Sequence, residues 1–341
     1  MERLRDVSEA ELLRRLTPVY AAAEAAGNLV GVGPGDDAAV LTARSGAVVA
    51  SVDTMVRGSD WRDDWSSGHD VGAKVAAQNL ADIAAMGAVP TGLLVSLAAD
   101  PDTTVEWVLD LARGIATLAA ASGASVIGGD LSSAPAGVVV VSVTALGDLQ
   151  GRMPVLRSGA RIGDTVAVCG SLGRSGGGLC LYLAGRSGEA GAEAVALMAD
   201  HRAPRPPWES GPTAGQAGAH AMIDVSDGLV IDAGRIATAS GVGIDLDGEV
   251  LRERFAAGAL TAALGAEEAL VQVLSGGEEH SLVACFEPEV DLGSLPGEPW
   301  QVIGRVVPGP DGVDEPDGDA AARVTVDKVV PSVRGWDHFA G

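Results

Sequence analysis

The run Gly33-Pro34-Gly35-Asp36-Asp37-Ala38-Ala39-Val40 sets two adjacent carboxylates after a glycine turn and directly before an apolar segment. Glycines allow positive φ and close backbone approach, so such a turn can aim main-chain N–H groups at an anion. Carboxylates in the same place would repel a bare phosphate, so the combination points to phosphate held through a hard cation such as Mg²⁺. Taken alone, the same residues also read as a Gly-Asp turn that opens a strand. The arrangement recurs, however. Asp53, Asp82, Asp130 and the pair Asp224 and Asp227 each stand at the mouth of an apolar element. Clustered carboxylates are costly to bury unless cations neutralise them. Oxygen-only ligands favour Mg²⁺, Ca²⁺ or Mn²⁺ over zinc, and Mg²⁺ with phosphates is the commonest pairing.

Other chemistries fit poorly. His69, His201, His220, His280 and His338 show no metal-ligand spacing, and no G-x-S-x-G elbow is present. Neither of the two lysines, Lys74 and Lys328, follows a G-x-x-x-x-G run, which excludes a Walker loop. Gly31-Val32-Gly33 starts like a dinucleotide fingerprint, but Asp36 takes the third glycine position. A nucleotide site here must be of a non-Walker kind.

The elements that must position these residues alternate along the chain. Ser8-Glu9-Ala10-Glu11 reads as a capping box opening a helix with Leu12, Leu13, Leu16 and Val19 on one side. Ala47–Val52 is a short β-like run ending in Asp53-Thr54, followed by a polar loop from Arg57 that is rich in Trp and Asp. Asp70 is placed at the N-cap of a helix that runs to about Met86 and ends at Gly87. Asp70, Lys74, Gln78 and Asp82 recur every four residues on it, with Asn79 beside them, as one polar stripe on an otherwise apolar helix. Such a stripe is either solvated or faces a site, and Asn79 and Asp82 so late in the helix suit the second. Strands at Leu93–Leu97, Ser125–Ile127 and Val138–Leu146 and a helix over Thr103–Ser122 complete an α/β or α+β layer. Gly147–Pro154 is the best boundary, giving domains 1–150 and 151–341. The second half begins with the β-like run Thr165–Cys169, a glycine-rich turn at Gly170–Gly178 and a helix. Asp224-Val225-Ser226-Asp227-Gly228 then follows a strand, and Ser275-Gly276-Gly277-Glu278 precedes another at Ser281–Phe286.

At 341 residues, 47% hydrophobic but only 3% aromatic, the chain must build its core from Ala, Val, Leu and Ile. A formal charge of −23 argues against nucleic acid or an anionic membrane as partner, and leaves bound cations and local arginines to attract an anionic ligand. The charged N-terminus carries no apolar signal segment, and the apolar stretch Leu80–Ala99 is broken by Asp82, Gly87, Pro90 and Gly92. Cys169, Cys180 and Cys285 lie far apart in apolar contexts and read as reduced thiols of a cytoplasmic protein.

Together the motifs resemble thiamine-monophosphate kinase, within the superfamily that includes aminoimidazole ribonucleotide synthetase. The resemblance rests on Gly35-Asp36-Asp37-Ala38-Ala39-Val40, Gln78–Ala88, Gly128-Gly129-Asp130, Arg157-Ser158-Gly159-Ala160, Asp224–Leu229, Ser275–Glu278 and Gly335-Trp336-Asp337-His338-Phe339. It implies a two-domain PurM-like α/β (α+β) fold, with an N-terminal mixed sheet carrying helices on one side, an α/β C-terminal domain, and a homodimer joined through the N-terminal domains. It implies transfer of the γ-phosphoryl of ATP to thiamine monophosphate, with several Mg²⁺ ions held by Asp37, Ser51, Asp53, Asp82, Asp130, Asp224 and Asp227. Gly129, Asp130, Arg157 and Ser226 would bind ATP. Asp60, Glu278 and Trp336 would meet the thiamine substrate, Glu278 by charge and Trp336 by stacking. No general base is implied, with Asp37, Asp82 and Asp227 acting through Mg²⁺. The acceptor phosphate, with a second pKa near about 6, is already nucleophilic at neutral pH. The family usually has histidine and phenylalanine where this chain has Asp60 and Trp61. That change reads as tolerated, as compensated by a neighbour, or as a change of substrate. A relative acting on another small substrate, or an idle nucleotide- or thiamine-binding homologue, are the alternatives. A selenophosphate synthetase is disfavoured, since no cysteine precedes Cys169.

Overall fold

The computed structural model describes residues 1–21, 29–32, 38–188, 191–309, 320–333 and 335. The Gly33–Asp37 turn, and with it Asp37, lies outside the described residues, as does Trp336. The chain divides into two compact units, Met1–Ile83 with Ala88–Gly151, and Ala84–Gly87 with Arg152–Gly341.

The first unit contains α1 (Glu9–Ala21), β1 (Val30–Val32), β2 (Val40–Leu41), β3 (Val49–Val56), α2 (Gly68–Ala85, its last residues given to the second unit), β4 (Val89–Ala99), α3 (Val105–Ser122), β5 (Ser125–Ser133) and β6 (Val139–Asp148). Its main sheet has the order β3-β6-β4-β5, antiparallel except for the parallel β4/β5 pair. Period-2 alternation buries Val139, Val141, Val143 and Ala145 on one face. On the other face Val52 is 59% exposed, and Val56 and Leu94 are exposed as well.

Helix starts differ in detail from the sequence expectation. Ser8 Oγ accepts the Glu11 N–H at 3.2 Å, but the Glu11 carboxylate pairs with Arg15 instead of returning to Ser8. Leu12 and Leu16 are buried, whereas Leu13 is exposed, so the apolar face of α1 is narrower than its composition suggested. The reciprocal box falls at α2. Ser67 Oγ accepts from the Asp70 N–H at 3.2 Å and Asp70 Oδ2 accepts from the Ser67 N–H at 3.0 Å. Ser67 is therefore the cap, and Asp70 its partner one turn in. Strand β3 also runs on through Asp53-Thr54 to Val56, paired residue by residue with β6, with Asp53 and Thr54 on opposite faces of the sheet.

Helices α2 and α3 approach through glycine. A Cβ on Gly72 would lie 2.0 Å from the Leu111 carbonyl oxygen, and one on Gly114 would lie 2.2 Å from that of His69. Backbone packed this closely fixes where the polar stripe of α2 faces.

The second unit contains β7 (Thr165–Cys169), α4 (Arg174–Leu183), α5 (Ala192–Arg202), α6 (Ser210–Gln216), β8 (Ala221–Asp224), α7 (Leu229–Ser240), β9 (Val242–Leu246), α8 (Gly248–Val250), α9 (Ala259–Leu264), α10 (Ala266–Ser275), β10 (Leu282–Phe286), β11 (Trp300–Pro308) and β12 (Val324–Val326). Its sheet has the order β12-β9-β11-β7-β10-β8, with only β12/β9 parallel. Strands β8 and β10 are buried at every residue, which is why both read as unbroken apolar runs. One side of the core gathers Val155, Ala167, Cys169, Met222, Leu282 and Phe286, with Trp300 edge-on to Phe286 at 5.2 Å. The glycines of α4 serve packing: a Cβ at Gly178 would meet the Leu197 carbonyl oxygen at 2.2 Å.

Gly72→Ala should therefore destabilise the protein by about 1–3 kcal/mol, the usual penalty for forcing atoms into a packed contact. Urea unfolding would read this as a lower midpoint at unchanged slope. An unchanged midpoint would contradict the close helix crossing.

Candidate active site

In the first unit the sheet register brings three of the expected residues together. Ser51 and Asp53 are two apart on β3, opposite the buried Ala145 and Val143, and so face α2. Ser51 Oγ donates to Asp82 Oδ2 in a short hydrogen bond. The Asp53 N–H donates to Asn79 Oδ1 at 3.2 Å, and the Asn79 side chain, wholly buried, donates onward to the Val75 carbonyl at 2.8 Å. Asn79 thus uses both ends of its amide to hold β3 against the helix. Ser51, Asp53 and Asp82 remain half-buried.

Asp130 is not brought to that group. It lies opposite Ser96 on β4, an exposed position, and therefore on the other face of the sheet, where its Oδ2 accepts from Ser132 Oγ at 2.9 Å. Gly129 precedes it on the inner face, where a Cβ would meet the Val95 carbonyl oxygen at 2.0 Å; only glycine fits.

Asp60 is engaged in its own loop. Its Oδ2 accepts the Val56 N–H at 2.6 Å, and its carbonyl accepts from the buried Lys74 Nζ at 3.3 Å. The following Trp61 is buried and stacks on Trp107, with ring centroids 6.2 Å apart. The carboxylate thus closes a turn at the end of β3, which gives the Asp60-Trp61 pair a structural reason.

In the second unit, Asp224 ends β8 and its Oδ2 lies 3.0 Å from His280 Nδ1, both side chains buried. The loop that follows is organised by a residue the sequence reading passed over. Asp232, in the first turn of α7, is completely buried, and its Oδ2 accepts the N–H groups of Ser226, Asp227 and Gly228 at 3.0, 2.9 and 3.1 Å. Arg235 donates to Asp232 Oδ1 at 2.5 Å and also lies 2.6 Å from Asp227 Oδ2. Burial pushes the Asp232 carboxyl up to about 7, and Arg235 pulls in the opposite direction.

Across from this loop runs the segment 276–281. The Glu278 and His280 N–H groups donate to the carbonyls of Ser226 and Val225 at 2.7 and 2.8 Å. Both residues hold positive φ, 58° and 57°, a conformation that non-glycine residues adopt only where neighbours fix it. Gly228, at φ 117°, passes so close to Ser275 that a Cβ would come within 2.8 Å of its carbonyl oxygen. Gly335, the residue before Trp336, packs against the Asp227 carbonyl. Arg157 is exposed; beside it the N–H groups of Gly159 and Ala160 both donate to Ser240 Oγ at 3.1 Å.

Glu279 anchors the glycine-rich turn. Its two carboxyl oxygens accept from Ser171 Oγ at 2.5 Å and from the Ser175 N–H at 2.9 Å. His201 Nδ1 sits 3.2 Å from Ser175 Oγ and 3.5 Å from Glu278 Oε2, so one buried polar network spans α4, α5 and the Glu278 loop. Among the described residues, no three His, Cys, Asp or Glu side chains are grouped so that they alone could hold a metal ion. No helix among them is long and apolar enough to cross a membrane.

Burial raises the Glu279 pKa above the ordinary carboxylate value, against its two hydrogen bonds. Between the unfolded value, about 4, and the raised folded value the native protein keeps a proton that the unfolded chain has lost. Stability should therefore fall as pH rises through that window. Glu279→Gln keeps the shape, an acceptor for the Ser175 N–H and a donor for Ser171, and should flatten the fall. Melting temperatures measured from pH 4 to pH 8 would test this, and identical profiles for both proteins would contradict it.

Residues 35–149 match the family described as AIR synthase related protein, N-terminal domain, and residues 161–315 match the corresponding C-terminal domain. The thiamine-monophosphate kinase of Mycobacterium tuberculosis is 45% identical over 310 residues, covering 90% of this chain and 86% of that one. The crystal structure of thiamine-monophosphate kinase from Stenotrophomonas maltophilia K279a superposes with a TM-score of 0.78 at 29% identity, covering 95% of this chain and 98% of the other. A structure described as AaThiL complexed with AMPPCP and TMP gives a TM-score of 0.74 at 27% identity over 99% of both chains. With relatives this similar across both of its units, the chain belongs to the thiamine-monophosphate kinase family, on the two-domain fold of the AIR synthase related proteins.

Proposed function

We propose that this protein phosphorylates thiamine monophosphate with ATP, giving thiamine diphosphate and ADP, by direct in-line transfer assisted by Mg²⁺. The observation that carries the reading is the 45% identity to a thiamine-monophosphate kinase over 90% of the chain. The related structure complexed with AMPPCP and TMP supports ATP and thiamine monophosphate as the two ligands.

The donor chemistry suits a hard divalent cation. Ser51, Asp53 and Asp82 offer only oxygen, and at Asp227 the protein already places a cation of its own, Arg235. Asp37, Ser51, Asp53, Asp82, Asp224 and Asp227 are the residues that would hold Mg²⁺, with Asp130 apart from Ser51, Asp53 and Asp82 on the opposite face of the first sheet. When bound, the metal neutralises charge on the phosphate chains and lowers an otherwise electrostatic barrier. The chain's own residues orient the reactants. Gly129 lets backbone approach closely, and Asp130, Arg157 and Ser226 would take the nucleotide. Glu278, held in its strained conformation by the Ser226 carbonyl, would pair with the cationic thiazolium. Trp336 would stack on a ring of the substrate. An acceptor phosphate with a second pKa near about 6 needs no general base, so His201 and His280 are free to act as buried structural partners.

Homodimerisation through the exposed face of β3-β6-β4-β5 and a cytoplasmic location complete the reading. Exposed Val52, Val56 and Leu94 on that face support an interface between copies.

Chromatographic product analysis with ATP, Mg²⁺ and thiamine monophosphate should show thiamine diphosphate, and none when thiamine or an aminoimidazole ribonucleotide replaces the monophosphate. Asp60→Asn should stay within about threefold of the parent activity, since the carboxylate serves a turn. Asp82→Asn should lose about a hundredfold or more. A folded, ATP-binding protein that yields no product would overturn the assignment and favour an idle homologue or another substrate.

A further inference from the structure

One guanidinium in the second unit holds two carboxylates that have different duties. Asp232 is fully buried, and its Oδ2 is committed to the amides of Ser226, Asp227 and Gly228, so its task is to shape the loop. Asp227 is 16% exposed at its side chain and belongs to the surface of that loop. Arg235 reaches Asp232 Oδ1 with one terminal nitrogen at 2.5 Å and Asp227 Oδ2 with the other at 2.6 Å. Arg235 extends from α7 two turns beyond the loop, so nothing but its side-chain rotamer ties it to Asp227. A guanidinium presents several donors and can release one acceptor while keeping the other.

We infer that Arg235 is a built-in counter-ion for Asp227 that competes with the divalent cation. The guanidinium holds Asp227 and offsets the repulsion among Asp224, Asp227 and Asp232. A divalent cation held by Asp227 would displace one guanidinium nitrogen from Oδ2, while Arg235 would keep its contact with Asp232. The loop thereby keeps its shape in both states, and the affinity for metal is set below what the carboxylates alone would give. This rests on the proposed role of Asp227 as a metal ligand.

The test is a double-mutant cycle on the full-length, nucleotide-free protein. Mn²⁺ is titrated and the free ion is followed by electron paramagnetic resonance. Asp227→Asn should weaken the tightest Mn²⁺ site by about tenfold or more. Arg235→Gln should tighten it by about three- to tenfold, the size of a partly exposed ion pair released from competition. In the Asp227→Asn background, Arg235→Gln should have almost no effect. Should the Gln variant fail to give a cooperative melt, Arg235→Lys serves in the same cycle, since lysine keeps the charge but cannot span both carboxylates. Tightening of equal size with and without Asp227 would reduce Arg235 to a general charge effect and overturn the inference, as would unchanged or weaker binding in the Arg235 variants. An Asp227→Asn protein that binds Mn²⁺ like the parent would remove the ligand role of Asp227, and the competition with it. A weakened Asp227→Asn alongside an indifferent Arg235→Gln would sink the competition alone.

Discussion

Carboxylates gathered near one another must be given hydrogen-bond donors and positive charge, or the fold that gathers them will not stand. Most of the polar architecture of this protein answers that requirement. Asp232 is the extreme case, a fully buried acid whose Oδ2 takes three consecutive backbone N–H groups and whose Oδ1 takes a guanidinium. By drawing those amides inward it fixes the turn from which Ser226 and Asp227 emerge. Asp224 is held against His280, and Glu279 ties the turn after β7 to the Glu278 loop. In the first unit Asn79 and the Ser51–Asp82 bond do the same for β3 and α2. Asp53 and Asp227 each donate a backbone N–H to a buried partner, Asn79 and Asp232, that holds them still, which is the preorganisation that electrostatic catalysis of phosphoryl transfer requires.

Close backbone approach is the second means of positioning. Gly72 and Gly114 let α2 and α3 touch, Gly129 admits the Val95 carbonyl, and Gly228 and Gly335 bring two segments onto the Asp227 turn. None of these contacts would survive a side chain. They set positions to fractions of an ångström in a core that has few large aromatic residues to do it by packing.

Much of this was legible in the sequence, because the relevant signals are local. The order of strands and helices follows from periodicity, and the every-fourth-residue stripe of α2, read as solvated or facing a site, is where Asp82 and Asn79 meet Ser51 and Asp53 of β3. The resemblance named the right family from short motifs alone. What failed locally failed for identifiable reasons. Asp70 looked like a cap although Ser67, three residues earlier, completes the box with it. Leu13 joined the apolar face on composition although the helix turns it outward. The roles of Asp232, Arg235 and Glu279 depend on which amides and hydroxyls the fold brings to them. Glu279 meets a serine 108 residues away in the chain, so no spacing rule could announce it. An acid in the first turn of a helix that opens Leu229-Val230-Ile231 was the one clue to Asp232. Asp130 is the instructive case among the site residues, since its motif is local but its face of the sheet is fixed only by register with β4.

The central claim is that acids held in place by these anchors bind the divalent cations used in phosphoryl transfer to thiamine monophosphate. The most direct measurement is a crystal structure grown with Mn²⁺, a non-hydrolysable ATP analogue and thiamine monophosphate, with manganese located by its anomalous scattering. The account predicts manganese peaks in contact with Asp82 or Asp53 and with Asp227, each also touching a phosphate oxygen. Bound nucleotide with no manganese at any of these carboxylates would contradict it.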